Sequence, residues 1–431
     1  MRTRARPAEK HVLLVGVSEE DCEPLKRLAN AATCQFHAVG SYDEASDPLL
    51  CRPRQFIAEA LRWLKKSALK PDAVMGADDY PQSILVPALA RRLNLPGTPL
   101  AGVYRAENKA WSRAIQKAVV PRASPRFAVL DPKIGLEYQD CAVPFPLWVK
   151  PVKSFMSYLG FRARRPAELG AALAEMRERL PPFVAAFDAL QPAEAAPPGY
   201  AGIGGGHALA EALIGGHQCC LDGFVWQGEV TALGIVDSIR TSNRVSFSRF
   251  QYPSRLPERF QRRIIDVTRR IVPAIGLDNT LFNIEFFVDP RSGRPTIIEI
   301  NSRFSPQFAD IYEKVDGTST LALVLDAALG IKPSWSPGQG RYRMAASFVL
   351  RCARDRQIIR IPSESDIARV GRVFPGTVVK LRAAPGKRLS EWPQDSFTFR
   401  YAMVHIGADS SRELKMRLEK CRRMLPFAFA R

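Results

Sequence analysis

The sequence predicts a mixed α/β (α+β) protein that begins with a parallel sheet and carries an acidic hairpin further along the chain. In residues 1–105, apolar strand segments alternate with helical segments, which is the pattern of a parallel sheet. In residues 281–310, two strands are joined by a tight turn, and each strand carries a glutamate. Residues 336–431 mix strands with one terminal helix, so we expect three parts with bounds at 1–105, 106–335 and 336–431.

The composition is that of a globular protein with several subdomains. The chain has 431 residues and 46% hydrophobic residues, enough for a large core. No apolar run approaches the ~20 residues of a membrane span, so we expect no membrane partner. The basic N-terminus leads directly into a strand pattern without a signal-peptide core, which favours a cytoplasmic location. The eight cysteines lack metal or disulfide spacing and are expected to be reduced.

The net charge of +19 is compatible with an anionic substrate or a nucleic-acid partner. The basic residues are scattered, mostly arginine, and form no compact block with interleaved aromatic residues. An arginine-rich composition bias produces the same charge, so the pattern argues against nucleic acid as the partner.

The N-terminal part is predicted to bind a ligand at one edge of its sheet. The predicted strands cover residues 11–17 and 71–76, and the predicted helices cover 22–32, with Asp21 as N-cap, 54–66 and 82–93. Ligands of such sheets bind beyond the carboxyl ends of the strands, here near residues 17–18 or Asp78 and Asp79. A simple loop that caps the next helix is the alternative for the two aspartates.

Two lysines in the next segment are candidates for phosphate binding. Residues 107–126 predict a helix with Lys109 in its first turn, where the helix dipole disfavours a cation. Lys109 is therefore either functional or an ordinary surface charge. Lys150 ends a predicted strand at residues 145–151, so its stem is buried and its ammonium group lies at the strand end. A lysine there is a compact point charge for phosphate.

The segments that follow alternate between possible phosphate loops and ordinary connections. Lys153 and Ser154, in residues 152–161, could cradle phosphate with charge, a hydroxyl and backbone N–H groups. A helix is predicted at residues 166–180. Residues 188–207 are rich in Pro, Ala and Gly and lack the G-K-[ST] ending of a phosphate loop, which favours a flexible linker.

The hairpin in residues 281–310 has the donor groups of a magnesium site. Glu285 and Glu299 lie on paired strands, and Asn301 follows two residues later. If the two carboxylates share a face, this all-oxygen set suits Mg²⁺, and Arg303 brings a fixed cation to the same edge. A solvated hairpin is the alternative, but the isoleucines around Glu299 indicate that its carboxylate needs a partner.

A polar stretch at residues 239–254 offers further cations. Arg240, Arg244 and Arg249 could hold an anionic substrate or the γ-phosphate of a nucleotide. A polar loop with ordinary surface arginines explains the same pattern equally well.

Five separated motifs, in the expected order, resemble those of the ATP-grasp superfamily, which includes carboxylate–amine ligases and biotin carboxylase. The resemblance covers roughly residues 10–330 and rests on the segments around Lys109, Lys150, 152–161, 211–223 and 285–303. It implies an ATP-grasp fold that binds nucleotide between two lobes. It also implies a preceding parallel-sheet pre-ATP-grasp domain and a small C-terminal α+β lobe.

The resemblance implies roles for most of the candidate residues. Lys109, Lys150, Lys153, Ser154 and Glu211 match ATP-binding positions. The backbone near Ile214 matches the segment that pairs with adenine, and Gln218 replaces the acid that binds the ribose. Glu285, Glu299 and Asn301 match the magnesium ligands, and Lys150 and Arg303 match catalytic positions. Gln307 and Asp310 lie where acceptor contacts are found. Two departures are Asn108 in place of an acid and a single glycine, Gly160, in the phosphate loop.

The activity implied is that of an ADP-forming carboxylate–amine ligase that works through an acyl-phosphate. Its cofactors would be ATP and two magnesium ions, for which Mn²⁺ could substitute. Its partners would be a small carboxylate and an amine, and a homodimer is compatible with the resemblance. The alternatives are an ATP-grasp carboxylase, a kinase-like phosphoryl transferase, or a nucleotide-binding or nucleic-acid-binding protein that performs no ligation.

Overall fold

The computed structural model describes residues 9–17, 23–76, 78–135, 141–155, 157–243, 245–392 and 398–430. The chain begins with a three-stranded parallel sheet in the order β2-β1-β3, which confirms the predicted parallel sheet. Its strands are β1 (Lys10–Val15), β2 (Cys34–Val39) and β3 (Ala73–Met75). The helices of this part are α1 (Glu23–Lys26), α2 (Tyr42–Ser46), α3 (Pro53–Ser67), α4 (Gln82–Leu93) and α5 (Leu100–Glu107).

Several features of this part differ from the prediction, and helices α2 and α5 were not predicted. Strand β2 was not predicted, because it is a half-exposed edge strand without a continuous apolar run. The helix predicted at residues 22–32 is shorter, since α1 ends at Lys26 and a 3₁₀ turn, Ala29–Ala31, follows. In that turn the amide of Asn30 donates to the Ala322 carbonyl at 2.9 Å, a tertiary contact that no local pattern reveals. Asp21 and Cys22 lie outside the described residues.

A second, four-stranded antiparallel sheet has the order β4-β7-β5-β6. Its strands are β4 (Phe127–Leu130), β5 (Leu147–Pro151), β6 (Phe161–Ala163) and β7 (Ala208–Ala212), with helices α6 (Lys109–Val119) and α7 (Pro166–Leu190) beside it. The helix predicted at 107–126 is divided at Asn108, whose side chain accepts from the Trp111 amide and so caps α6.

Helix α7 runs ten residues beyond its predicted end at residue 180, across Pro181 and Pro182. Prolines normally interrupt a helix. Here the next turns bury Phe183 and Phe187, whose rings pack against Tyr80 at 5.9 and 6.0 Å. This packing offsets the local cost of the prolines.

The largest sheet has eight strands in the order β12-β11-β8-β9-β10-β13-β16-β15. They are β8 (His217–Trp226), β9 (Glu229–Arg240), β10 (Phe247–Tyr252), β11 (Thr280–Val288), β12 (Pro295–Asn301), β13 (Met344–Cys352), β15 (Val378–Leu381) and β16 (Phe399–Ala408). The remaining elements are α8 (Glu258–Ile275), α9 (Ala309–Asp316), α10 (Thr320–Ala328), β14 (Ile358–Arg360), α11 (Glu364–Val373), α12 (Ser411–Met424) and β17 (Ala428–Phe429). Hydrogen bonds between β10 and β13 carry this sheet across the domain bound predicted at residue 335.

Close packing of α5 on the end of α8 brings the first half of the chain against this sheet. A Cβ on Gly102 would lie 2.2 Å from the carbonyl oxygen of Gly276, so only glycine permits the approach. Because α6 begins two residues after α5 ends, this contact also positions Lys109 beside the hairpin of β11 and β12. Within the residues described, no helix combines the length and the apolar character needed to cross a membrane.

Candidate functional site

The β11–β12 hairpin brings two carboxylates together. Glu285 lies directly opposite Glu299 in the antiparallel register, and Asn283 lies opposite Asn301. Residues paired in this way point to the same face of a sheet. Burial, together with the Glu299 charge, raises the pKa of Glu285 to about 7. The negative charge of the pair is therefore only partly balanced by the surrounding side chains.

The donor set of this hairpin fits a magnesium ion. Two carboxylates and one amide oxygen are hard oxygen ligands, and Mg²⁺ commonly takes one or two carboxylates and completes its shell with water and phosphate. Among the described residues, no group of three or more His, Cys, Asp and Glu side chains forms a metal cage. The site thus suits a cation that a nucleotide helps to hold.

The amide of Asn301 is oriented by a buried chain of hydrogen bonds. Its Nδ2 donates to Asn283 Oδ1 at 3.2 Å, and Asn283 Nδ2 donates to Asp222 Oδ1 at 3.2 Å. The Tyr312 hydroxyl donates to the other Asp222 oxygen at 3.1 Å. Since the nitrogen of Asn301 is held inward, its oxygen is left to bind a ligand. No local sequence pattern predicted these hydrogen bonds, because their partners are far apart in the sequence.

Lys109 lies beside the acidic pair. Its Nζ donates to the backbone oxygen of Ser154 at 2.8 Å and lies 3.5 Å from Glu299 Oε2. Burial lowers the pKa of Lys109, and the Glu299 charge opposes that change. Lys109 and Glu299, which were predicted from separate motifs, therefore lie close together. They do so although the dipole of α6 disfavours a cation in its first turn.

Lys150 belongs to a buried charge cluster. Its Nζ lies 2.8 Å from Glu211 Oε2, and the Nε of Arg113 lies 2.5 Å from Glu211 Oε1. Burial alone would raise the pKa of Glu211, but the two cations hold it at about 2. Arg113 also donates to the Ile298 carbonyl at 2.6 Å, so the cluster joins α6 to both β7 and β12. Arg113 was not predicted. Its position one helical turn after Lys109 is the sequence feature that could have identified it.

Lys153 forms a buried ion pair beside the predicted site. Its side chain is 4% exposed, and its Nζ lies 2.5 Å from Glu107 Oε2 and 4.5 Å from the centre of the Tyr80 ring. Glu107 also accepts from Ser302 Oγ at 2.6 Å. Direct phosphate contact by Lys153 would require this buried pair to separate. Glu107 and Ser302 are further residues that the sequence analysis missed.

The loop at residues 152–161 is held by aromatic packing; Met156 lies outside the described residues. The Phe155 and Tyr158 rings lie 5.4 and 4.8 Å from the Phe183 ring of α7. Ser157 and Leu159 adopt positive φ angles of 59° and 54°. Left-handed backbone is therefore supplied without the glycines typical of phosphate loops.

The segment near Ile214 that is predicted to pair with adenine connects two sheets. Ile214 lies in the short connection between β7, in the four-stranded sheet, and β8, in the eight-stranded sheet. Gln218 on β8 donates to Glu285 Oε2 at 3.2 Å and accepts from Arg240 Nε at 2.8 Å. Gln218 thus links the acidic pair to an arginine in this structure.

Half of the stretch at 239–254 is strand, which partly corrects the expected polar loop. From Arg249 onward polar residues alternate with Phe250 and Tyr252, so β10 forms there, and an irregularity in its pairing lies between Phe247 and Arg249. Arg240 ends β9 and lies 5.2 Å from the centre of the Phe287 ring. Arg249 is half-buried on β10, and burial lowers its pKa. Arg244 lies outside the described residues.

The carboxyl end of β3 and the hairpin meet at an ion pair between Asp79 and Arg303. Burial would raise the pKa of Asp79, but Arg303 and Lys153 hold it at about 2. The predicted ligand edge of the parallel sheet therefore lies next to the predicted metal hairpin. Ser18, at the other predicted position, is outside the described residues.

The two acceptor candidates point toward the C-terminal strands. Gln307 donates to Ser347 Oγ at 2.9 Å, and Asp310 lies 2.5 Å from Lys314 Nζ and 3.3 Å from His405 Nδ1. Both side chains thus have partners within the protein.

Comparison with known proteins agrees with this fold. Residues 143–311 match the family model described as an ATP-grasp domain. No curated protein matches the chain in sequence. Three similar solved structures are an L-amino acid ligase from Bacillus licheniformis, an N5-carboxyaminoimidazole synthase from Aspergillus clavatus with ADP and 5-aminoimidazole ribonucleotide, and a biotin carboxylase domain dimer of Hydrogenobacter thermophilus 2-oxoglutarate carboxylase with MgADP.

The three likenesses extend over nearly the whole chain. The ligase is 18% identical, with 99% of this chain and 100% of that chain covered and a TM-score of 0.71. The synthase is 14% identical, with coverages of 96% and 98% and a TM-score of 0.62. The carboxylase domain is 14% identical, with coverages of 99% and 92% and a TM-score of 0.62. The fold is that of ATP-grasp ligases and carboxylases. The match over residues 143–311 agrees with the resemblance that the motifs predicted.

Proposed function

We propose that this protein is an ADP-forming carboxylate–amine ligase that uses MgATP. The observation that carries the proposal is the opposed pair Glu285 and Glu299 with Asn301 beside it and Lys109 against it. This group provides oxygen ligands for a cation and a positive charge for phosphate on one surface. Glu285, Glu299 and Asn301 lie inside the segment that matches the ATP-grasp model, and Lys109 precedes that segment.

The proposed reaction has two displacement steps. A carboxylate oxygen of the substrate attacks the γ-phosphorus, the bond to the β–γ bridging oxygen breaks, and ADP leaves. An amine nitrogen then attacks the acyl carbon, the bond between that carbon and the phosphate oxygen breaks, and the nitrogen loses a proton. Positioning and charge stabilisation, without covalent participation of the protein, are sufficient for such steps.

Each residue has a defined part in this proposal. Lys109 and Lys150 would hold the polyphosphate, and Arg303 would balance the charge on the acyl-phosphate. Glu285, Glu299 and Asn301 would hold two magnesium ions, for which Mn²⁺ could substitute. The bound metal would neutralise phosphate charge and orient the γ-phosphoryl group.

The nucleotide-binding residues are proposed on the same basis. The backbone near Ile214 would pair with adenine, and Gln218 with Arg240 would border the ribose. Glu211 would hold Lys150 in place, since their contact measures 2.8 Å. We assign Lys153 and Ser154 to the support of the phosphate loop, because Lys153 is paired with Glu107. We propose a cytoplasmic protein and a homodimer, with a domain bound at residue 105. The parts before and after residue 335 share the eight-stranded sheet.

We propose L-amino acids as the first substrates to test, because the similar Bacillus licheniformis protein is an L-amino acid ligase whose full length aligns with this chain. One observation favours a second function. The loop at 152–161 is anchored by Phe155 and Tyr158 on α7, which favours nucleotide binding without rapid turnover.

The test is magnesium-dependent ADP release in the presence of pooled L-amino acids, with hydroxylamine added to trap acyl-phosphate as hydroxamate. We expect ADP release to require an amino acid, and we expect Glu299→Ala and Lys150→Ala to abolish it. Glu229→Ala is the matched control, since Glu229 is an exposed acid on the same sheet. Unchanged turnover in Glu299→Ala would contradict the proposal.

A further inference from the structure

Positive charge is concentrated in the last part of the chain, although its single basic residues are scattered along the sequence. Residues 341–431 contain 20 Lys and Arg residues and only 8 Asp and Glu residues, so these 91 residues carry 12 of the 19 net positive charges. A composition bias that acts along the whole chain does not explain this concentration. The surface of this part thus has the charge to attract an anionic partner.

Most acids of this part are already paired with neighbouring cations. The paired acids are Asp355, Asp366, Glu391, Glu413 and Glu419. Other cations remain without a counter-charge. Among the described residues 341–392 and 398–430, exposed cations that form no ion pair include Arg354, Arg356, Arg360, Arg412, Lys415 and Arg423. Exposed guanidinium and ammonium groups of this kind bind phosphate or carboxylate oxygens.

Three aromatic rings lie among these cations. The rings of Phe427 and Phe429 are parallel, with an angle of 2° between their planes and 6.3 Å between their centres, and Tyr401 lies 4.7 and 5.0 Å from them. All three side chains are partly exposed. Burial raises the pKa of Tyr401, and the nearby charge of Arg422 opposes that change. Arg360 lies on β14, which pairs with β17 beside Phe429.

This combination of groups specifies the kind of partner. In proteins that bind a single-stranded nucleic acid, cations pair with the phosphates and the bases stack on aromatic rings. An acidic protein would use the cations and leave the rings without a part. We propose that the surface formed by β14, β17 and α12, called the C-terminal basic surface below, binds single-stranded RNA or DNA. This function goes beyond the proposed ligase activity and does not depend on it.

Helix α12 lies on the face of the eight-stranded sheet opposite to the proposed nucleotide site. Glu285 is paired with Cys220, whose hydrophobic cluster includes Ala345 of β13. The next residue of β13, Ala346, points to the other face and belongs to the cluster that includes Leu414 of α12. MgATP and an oligonucleotide should therefore bind at the same time.

The probe is a fluorescein-labelled oligouridine of about 20 nucleotides, with an oligothymidine of the same length as the DNA arm. Binding to the whole chain is measured by fluorescence anisotropy at several salt concentrations. If about six phosphates are neutralised, the logarithm of the affinity should fall with a slope of about −4 against the logarithm of the salt concentration. This slope corresponds to roughly 300-fold weaker binding at 200 mM salt than at 50 mM. Excess MgATP should displace neither oligonucleotide.

Two pairs of adjacent arginines, each in the last turn of a helix, provide matched variants. Arg422→Gln combined with Arg423→Gln, at the end of α12, should weaken binding about tenfold or more and make the salt slope shallower by about 1.4. Arg91→Gln combined with Arg92→Gln, at the end of α4, removes the same charge and should weaken binding less than about twofold. Phe429→Leu keeps an apolar side chain but removes one ring, so it should weaken binding about tenfold.

Each outcome supports or overturns the inference. Loss of affinity in the α12 pair and in Phe429→Leu, with the α4 pair unchanged, would support it, and the tighter of the two arms would identify RNA or DNA as the strand. Absence of binding to both oligonucleotides at about 50 mM salt would overturn it. Equal losses in the two arginine pairs would do the same, as would displacement by MgATP, which would place the oligonucleotide in the nucleotide site.

Polyglutamate, an anionic chain without bases, tests for an acidic protein as the partner. We expect it to compete with oligouridine much less effectively than unlabelled oligouridine does, because it cannot stack on the rings. Equal competition by polyglutamate, together with an unchanged affinity in Phe429→Leu, would identify an acidic protein as the partner and would overturn the nucleic-acid inference.

Discussion

Replacing Glu211 by glutamine should strongly destabilise the fold, because Glu211 balances two buried cations. Arg113 Nε and Lys150 Nζ lie 2.5 and 2.8 Å from its two oxygens, and its side chain is 5% exposed. The Glu211→Gln variant keeps the size of the side chain and removes the negative charge. Arg113 and Lys150 then face each other without a counter-charge, which is the most costly way to break a buried pair.

The magnitude follows from the pKa of Glu211. Folding lowers that pKa from 4.5 to about 2, a difference equivalent to about 3 kcal/mol of stability at neutral pH. Because the folded pKa is the lower one, this stability is present above pH 4.5 and is lost as the pH falls toward 2. Loss of one member of a buried ion pair costs roughly 3–5 kcal/mol, so the two estimates agree.

The assay is urea unfolding, followed by tryptophan fluorescence and by circular dichroism, at pH 7 and at pH 3. The free energy of unfolding should differ between wild type and Glu211→Gln by about 3 kcal/mol at pH 7, and this difference should shrink by about 2 kcal/mol at pH 3. Coincident curves from the two probes are required, since a protein of several parts can unfold in stages.

Two controls define the result. Glu229→Gln removes an exposed partner of Lys332 and should cost less than about 0.5 kcal/mol. The Arg113→Met change should cost less in the Glu211→Gln background than in the wild type, because both belong to one cluster. A loss below about 1 kcal/mol in Glu211→Gln, or a loss that does not depend on pH, would refute the reasoning.

The remaining predictions concern the metal site, the helix contacts and the nucleotide. Asn283→Leu should weaken binding of Mn²⁺, measured by electron paramagnetic resonance, about 10-fold or more, because the Asn301 amide loses its orientation; unaltered binding would contradict this role. Gly102→Ala should lower the free energy of unfolding by about 1–3 kcal/mol, because its Cβ would clash with Gly276. Gly170→Ala should raise the free energy of unfolding by about 0.5–1 kcal/mol, because no atom lies within 4 Å of its new Cβ. A stabilising Gly102→Ala together with a destabilising Gly170→Ala would contradict the described packing of α5 on α8. MgATP at 100 times its Kd should stabilise the protein by about 2.7 kcal/mol, and EDTA should remove most of that gain; a melting temperature indifferent to EDTA would argue against a metal-dependent site.

The parts of the site that depend on neighbouring residues were predicted from the sequence. A strand period of two placed Glu285 and Glu299 on one hairpin, and the observed register puts them opposite each other. The helix at Gln82–Leu93 has the predicted bounds, and the predicted terminal helix forms at Ser411–Met424. In these cases the periodicity of side chains along a short segment determines the structure, so no distant contact is needed to predict it.

The parts that could not be predicted depend on residues far apart in the chain. Glu107 bonds Lys153 and Ser302, which are 46 and 195 residues away. Arg113 bonds Glu211 and the Ile298 carbonyl across 98 and 185 residues. No periodicity relates such positions, since they meet only after three sheets have assembled. A pattern on one segment identifies a charged residue but not its partner.

The predicted phosphate loop has aromatic residues where glycines are typical. Glycine-rich loops bind phosphate because their backbone is unrestricted, and that freedom must be given up on binding. Here Phe155 and Tyr158 pack on Phe183, and Ser157 is already held at a positive φ. The ordering is achieved on folding, so less entropy remains to be lost when a ligand binds. The presence of only one glycine, Gly160, in this segment is therefore compatible with nucleotide binding. The entropy of ordering the loop is lost on folding, when the loop packs against α7.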